Sequence, residues 1–161
     1  MKKLIFMSLL GASMFNLMSD AMAQDIGSRV SEHQGVYIPG LGDIMGAIQM
    51  RHAKLWFAGI KGNWQLAAYE LDEIKEGFED AAKFQPDFKG RPILHMVQEI
   101  TTRPLSDLQE AIETKNTEKF AIKFGQLTNA CNSCHQASGY GFISIQRPKQ
   151  PPFSNQRFEM R

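Results

Sequence analysis

Cys131 and Cys134 are the only cysteines in the chain, and His135 follows the second of them directly. The run Cys131-Asn132-Ser133-Cys134-His135 has the spacing at which two thiols can each form a thioether to a vinyl group of haem. The adjacent imidazole can then bind the iron as its proximal ligand. If the run is helical, positions 131, 134 and 135 lie on one face. The residue types therefore predict one covalently bound haem c, held by Cys131, Cys134 and His135.

Three other chemistries compete for the same two thiols. An exported chain with two cysteines is ordinarily read as containing one disulfide. A dithiol redox pair normally opens a helix in a strand-rich fold, whereas these cysteines come near the predicted end of a helix. A zinc site needs four ligands, and no second cysteine or histidine pair has the required spacing. The directly adjacent histidine and the helical context favour haem attachment.

The first 23 residues have the pattern of an export signal rather than of a folded segment. A basic start at Lys2 and Lys3 precedes an apolar run over residues 4–17, and residues 21–23 (Ala-Met-Ala) match a signal-peptidase site. We expect cleavage after Ala23 and a mature protein in a bacterial periplasm. An uncleaved N-terminal anchor is the alternative, but the apolar run is shorter than the roughly 20 residues of a membrane-spanning helix.

Charge excludes some classes of partner for the mature chain. The full sequence has 18 basic and 17 acidic residues among 161. Loss of Lys2, Lys3 and Asp20 with the leader makes the two counts equal, so the net charge becomes zero. No block of like charge remains to indicate nucleic acid or an anionic membrane as a partner. The remaining length suits one domain with one core.

Apolar residues recur with helical periodicity along most of that domain. The pattern predicts helices over residues 41–60, 64–84 and 118–137, and in the third region a short helix over 93–100 followed by another from Pro104 to about 115. Strand alternation is absent from the sequence. These features predict an all-α fold, an antiparallel four-helix bundle within residues 24–138. Residues 139–161 are rich in proline and predict an extended tail.

The position of the attachment motif near the end of the sequence favours one class of c-type cytochrome. Only 26 residues follow His135, and their one methionine, Met160, is next to last. With the motif on the fourth helix, residues 41–138 resemble the class II c-type cytochromes, the cytochrome c-prime family. The resemblance implies a haem between the helices near the C-terminal end of the last helix, a distal face supplied by the first helix, and a homodimer through the first two helices. Members of that family usually end soon after the motif, so the tail is a departure.

Three residues on the inward face of the first helix compete for the distal side of the iron. Met45 would give a His/Met iron suited to electron transfer, and His52 would give two histidine ligands and a lower potential. Leu55 would leave the iron five-coordinate and open to small gases. The run from Arg51 to Leu55 resembles the family's Arg-x-x-x-Leu/Met pattern, which makes both residues candidate haem contacts, with Arg51 able to pair with a propionate. His52 lies near the centre of the apolar face of this helix, so we rank it slightly ahead of Met45 as the distal ligand. The open site beside Leu55 ranks next.

The leading functional prediction is a periplasmic electron carrier, which is not an enzyme and exchanges electrons with redox partner proteins. The alternative is a gas-binding protein, for NO or CO, with an open distal site. A weak peroxidase is the third possibility. After cleavage of the leader we expect no membrane-spanning segment.

Overall fold

Helices make up most of the computed structural model, which describes residues 37–160. They are α1 (Leu41–Ile60), α2 (Trp64–Phe84), α3 (Ile93–Glu113) and α4 (Thr117–Ala137). Between α2 and α3 lies a hairpin of two very short strands, β1 (Asp87–Phe88) and β2 (Arg91–Pro92). The prediction of an all-helical bundle is confirmed for this part of the chain. The predicted leader, residues 1–23, lies outside the described residues.

Helix ends follow the local signals in the sequence. The Asn63 side chain accepts the backbone N–H of Leu66 at 3.2 Å at the start of α2, and Asn116 accepts that of Lys119 at 2.8 Å at the start of α4. The sequence predicts Asn63 as the cap of α2 and Asn116 or Thr117 as the cap of α4, and the two asparagines hold these positions. Gly62 ends α1 with φ +71°, a left-handed conformation that costs glycine little.

The third region differs from its prediction, because α3 is one helix with Pro104 inside it. Thr101 and Thr102 were expected to interrupt the helix. Instead their hydroxyls donate to the carbonyl oxygens of Val97 and Gln98, each one turn earlier, at 2.7 and 2.6 Å. Burial of apolar side chains on both sides of the proline keeps the helix continuous, although a proline removes one backbone hydrogen bond.

Neighbouring helices run antiparallel. Lys119 and Lys123 of α4 pair with Glu110 and Asp107 of α3 at 2.6 and 2.8 Å, so the numbers rise on one helix as they fall on the other. The same holds for α1 and α4. There His52 contacts Thr128, and the Trp56 and Phe124 rings lie 5.0 Å apart. Within residues 37–160, no helix is long and apolar enough to cross a membrane.

Aromatic rings fill the core where α1 meets the first half of α4. Phe120 and Phe124 are fully buried, together with Leu55. Gly59 lets α1 approach this layer, since a Cβ built there would lie 2.1 Å from the Phe120 ring. This aromatic layer holds α1 and α4 in a defined register, which sets what lies opposite the attachment motif.

The segment after α4 is irregular but is held against the bundle. The Arg147 guanidinium lies 4.4 Å from the Trp56 ring centre and donates to the Ala121 carbonyl at 3.3 Å. Farther along, Phe158 is only 3% exposed and its ring lies 5.7 Å from that of Phe57. The tail therefore runs back along α1 and α4. The contact with Phe158 explains the burial of Phe57.

Candidate functional site

The attachment motif occupies the last two turns of α4. Cys131, Cys134 and His135 are all partly buried, whereas Ser133 between them is exposed. Positions three and four apart on a helix share a face, so both thiols and the imidazole lie on the same side of α4. Both cysteines are free thiols. The three groups that thioether formation and iron ligation need are thus presented together.

The acidity of the thiols argues against a redox pair. Burial, together with the neighbouring Cys134, raises the pKa of the Cys131 thiol to about 11, and burial also raises the pKa of Cys134. Dithiol oxidoreductases depend on a lowered thiol pKa, commonly produced at a helix N-terminus. Here the thiols lie at the opposite end of the helix. Their environment disfavours the thiolate that disulfide exchange requires.

One of the two ring nitrogens of His135 is engaged in a hydrogen bond. Its Nδ1 lies 2.7 Å from the backbone carbonyl oxygen of Ile143. A carbonyl only accepts hydrogen bonds, so Nδ1 carries a proton, and in the neutral imidazole Nε2 then holds the lone pair. Metal-bound histidines commonly donate their second N–H in this way, which fixes the tautomer and the orientation of the ring. The donor set therefore fits a haem iron, with Nε2 of His135 as the ligand.

The end of α4 brings the tail back onto His135. Gly139, at φ +83°, donates its N–H to the Gln136 carbonyl at 3.1 Å, and Tyr140 donates to the His135 carbonyl at 2.7 Å. This pair of bonds is the Schellman arrangement of a helix C-terminus. A turn then follows, in which the Ile143 N–H donates to the Tyr140 carbonyl at 2.8 Å. The reversal carries the Ile143 carbonyl to the imidazole.

His52, the first-ranked distal candidate, is a buried and hydrogen-bonded core residue. It is 4% exposed, its Nε2 lies 2.9 Å from Thr128 Oγ1, and its ring centre lies 4.3 Å from that of Phe124. The Thr128 hydroxyl donates to the Phe124 carbonyl at 2.9 Å, so it accepts from His52 Nε2–H. Burial lowers the pKa of His52 to about 4. The imidazole is neutral, and one of its nitrogens already has a partner.

The register of α1 and α4 puts Met45, rather than His52, at the level of His135. His52 contacts Thr128, and Met45 precedes His52 by as many residues as His135 follows Thr128. Seven residues of helix span about 10 Å, and in antiparallel helices the two displacements run the same way. Met45 is partly buried. Leu55, fully buried, lies on the other side of His52, farther from the motif.

Arg51 faces α2 instead of the motif. Its guanidinium pairs with Glu73 at 2.6 Å and with Glu70 at 3.3 Å. Glu70 is fully buried, and its Oε1 has no hydrogen-bond partner, although Lys54 Nζ lies 3.6 Å away. Arg51, the candidate propionate partner, and Lys54 are therefore both engaged in a network between α1 and α2.

Two other cations lie beside the end of α4, in the β1–β2 hairpin. Arg91 donates to the Ala137 carbonyl at 3.2 Å, and Lys89 donates to the Tyr140 hydroxyl at 3.2 Å. The sequence pattern did not single out these two cations, because they lie outside the predicted helices and the attachment motif. The hairpin turns at Lys89-Gly90, where both residues have positive φ, and Gly90 is the signal for this turn in the sequence.

In the part of the chain that the structure describes, no three or more His, Cys, Asp or Glu side chains cluster to hold a metal ion. Comparison with protein-family models, curated proteins and solved structures finds no match. The candidate function therefore rests on the motif and its surroundings.

Proposed function

We propose that this protein is a mono-haem c-type cytochrome that transfers single electrons. Cys131 and Cys134 would hold the haem covalently, and His135 would bind its iron through Nε2. The observation that carries the proposal is the hydrogen bond from His135 Nδ1–H to the Ile143 carbonyl. It presents the imidazole in the tautomer and orientation of an iron ligand, beside two free thiols at the spacing of a haem attachment site.

Electron transfer rather than gas binding follows from the choice of the sixth ligand. When bound, the haem supplies a one-electron ferrous–ferric couple. We propose Met45 as its sixth ligand, because the helix register brings it to the level of His135 while His52 Nε2 is bonded to Thr128. A thioether on the sixth position closes the iron to small gases and raises its potential.

The proposed setting is the bacterial periplasm, reached through the leader expected at residues 1–23. Partners would be redox proteins that make transient contacts beside the motif. Phe142 and Ile143 offer apolar surface there, at 80% and 41% exposed. The homodimer through α1 and α2 stays a prediction of the family resemblance.

The absorption spectrum of the ferrous protein, recorded with and without CO, tests this proposal. We expect a low-spin spectrum that CO does not change. Met45→Ala should open the iron, so that CO binds, whereas His52→Ala should leave the low-spin spectrum in place. Met50→Ala is the matched control, because Met50 lies on the same helix but is 39% exposed.

Two results would contradict the proposal. CO binding by the unaltered protein would favour a gas-binding protein with an open distal site. Loss of the low-spin spectrum in His52→Ala but not in Met45→Ala would assign the sixth ligand to His52.

A further inference from the structure

Asn132, the first residue between the two cysteines, forms a two-point contact with the tail. Its side-chain Nδ2 donates to the Ile145 carbonyl at 2.8 Å, and the Ile145 N–H donates to its Oδ1 at 2.7 Å. Because the backbone groups of Ile145 can each play only one role, they fix which way the Asn132 amide points. The two bonds hold one residue of the tail in a single register against α4.

That register determines what meets the proximal histidine. Ile143, two residues before Ile145, presents the carbonyl that lies 2.7 Å from His135 Nδ1. The segment is also tied at its start, where the Ile143 N–H bonds to Tyr140, and beyond it, where Arg147 bonds to the Ala121 carbonyl. A shift of the tail along α4 would remove the carbonyl from the imidazole.

We propose that Asn132 is a positioning residue for the iron ligand, acting through the tail to hold the Ile143 carbonyl on His135 Nδ1. The inference rests on the proposed haem function and deepens it. A hydrogen bond from Nδ1–H to a fixed acceptor raises the basicity of a metal-bound imidazole. A more basic imidazole stabilises the ferric state over the ferrous state. The tail thus lowers the reduction potential through a contact that the attachment motif itself anchors.

This role makes a prediction that a merely structural contact does not. If Asn132 only fastened the tail, its loss would lower stability and leave the haem iron unaffected. If it positions the carbonyl, its loss also changes the His135 Nδ1 proton and the potential. Loss of hydrogen bonds of this kind lowers the population of the bonded state by roughly tenfold.

The test compares the haem-loaded protein with its Asn132→Ala variant, and uses Ser133→Ala as the matched control. Ser133 lies in the same motif, but its hydroxyl bonds only within α4, to the Asn129 carbonyl at 3.0 Å. Hydrogen exchange of the His135 Nδ1 proton, followed by NMR, should accelerate about tenfold in Asn132→Ala. The midpoint potential should rise, by about 59 mV if the ferric state loses a tenfold preference. Ser133→Ala should change neither quantity.

The possible results distinguish failure of this inference from failure of the proposed function on which it rests. A chain that retains no covalent haem would overturn the proposed function itself. A haem protein whose Asn132→Ala variant keeps the original Nδ1 exchange rate and potential would overturn the positioning role alone. Should that variant fail to fold, the unaltered protein still decides: an Nδ1 proton that exchanges as fast as that of a free imidazole has no fixed acceptor.

Discussion

Acidification should destabilise this protein through one buried side chain, His52. Burial lowers the pKa of this imidazole to about 4 in the folded state, against 6.5 for an exposed histidine. Between these two values the unfolded chain binds a proton at this position and the folded protein does not. Stability therefore falls as the pH falls from about 6.5 to about 4, and below that no more is lost through this residue. At about 1.4 kcal/mol for each pH unit, the loss is roughly 3 kcal/mol.

The assay is urea unfolding at pH 7 and at pH 4, performed on the haem-loaded protein and on its His52→Gln variant. Glutamine retains an amide donor for the Thr128 hydroxyl but has no proton to gain in this range. All other ionisable groups are the same in both proteins, so the difference between the two pH dependences isolates His52. We expect the unaltered protein to lose about 3 kcal/mol more than the variant.

Equal losses in the two proteins would refute this reasoning. They would mean that the folded state admits a proton at His52 without cost, by opening the layer around Thr128 or by supplying a counter-charge. A change in the haem spectrum of His52→Gln at pH 7 would be a separate contradiction, because it would make His52 an iron ligand.

Three further substitutions test the packing of the bundle by urea unfolding at pH 7. Gly59→Ala should lower the free energy of unfolding by about 2 kcal/mol, because its Cβ would lie 2.1 Å from the Phe120 ring. Lys115→Gly should raise the free energy of unfolding by about 1 kcal/mol. Lys115 lies just after α3 at φ +51°, where glycine is not strained. Phe158→Ala should cost about 3 kcal/mol and expose the tail to proteolysis, since Phe158 is 3% exposed, while Phe142→Ala, at an 80% exposed position, should change neither.

For each of these three predictions, one result would contradict the reasoning. An unchanged Gly59→Ala protein would mean that the Phe120 ring moves aside freely. No gain in Lys115→Gly would mean that the lysine conformation carries no strain. A stable Phe158→Ala protein with a resistant tail would show that the tail is held by its hydrogen bonds rather than by its buried ring.

Local signals predicted much of this fold because they act over one helix turn. The caps at Asn63 and Asn116 and the stop at Gly62 need only neighbouring residues to operate. The interruption expected around Pro104 did not occur, because burial on both sides of the proline outweighed a local breaker. Helix propensity describes an isolated segment and does not include the packing of that segment in the core of the bundle.

The contacts that define the candidate site join residues that do not share a helix, so they left no mark in the helical periodicity. The sequence showed that His52 lies on the inward face, but not that Thr128, 76 residues away, would bond to it. Nor could it show that the tail would supply a carbonyl to His135 and cover Phe57. The motif itself was readable because its chemistry requires fixed spacing. Its partners are free to come from anywhere in the chain.

The mass of the intact, denatured protein tests the central claim most directly. The chain should be produced in a host that matures c-type cytochromes, and beside it the Cys131→Ala/Cys134→Ala double variant. We predict that the unaltered chain carries the added mass of one haem after denaturation and that the double variant carries none. A chain with the mass of the polypeptide alone, or with Cys131 and Cys134 joined in a disulfide, would contradict the proposal that this protein is a cytochrome.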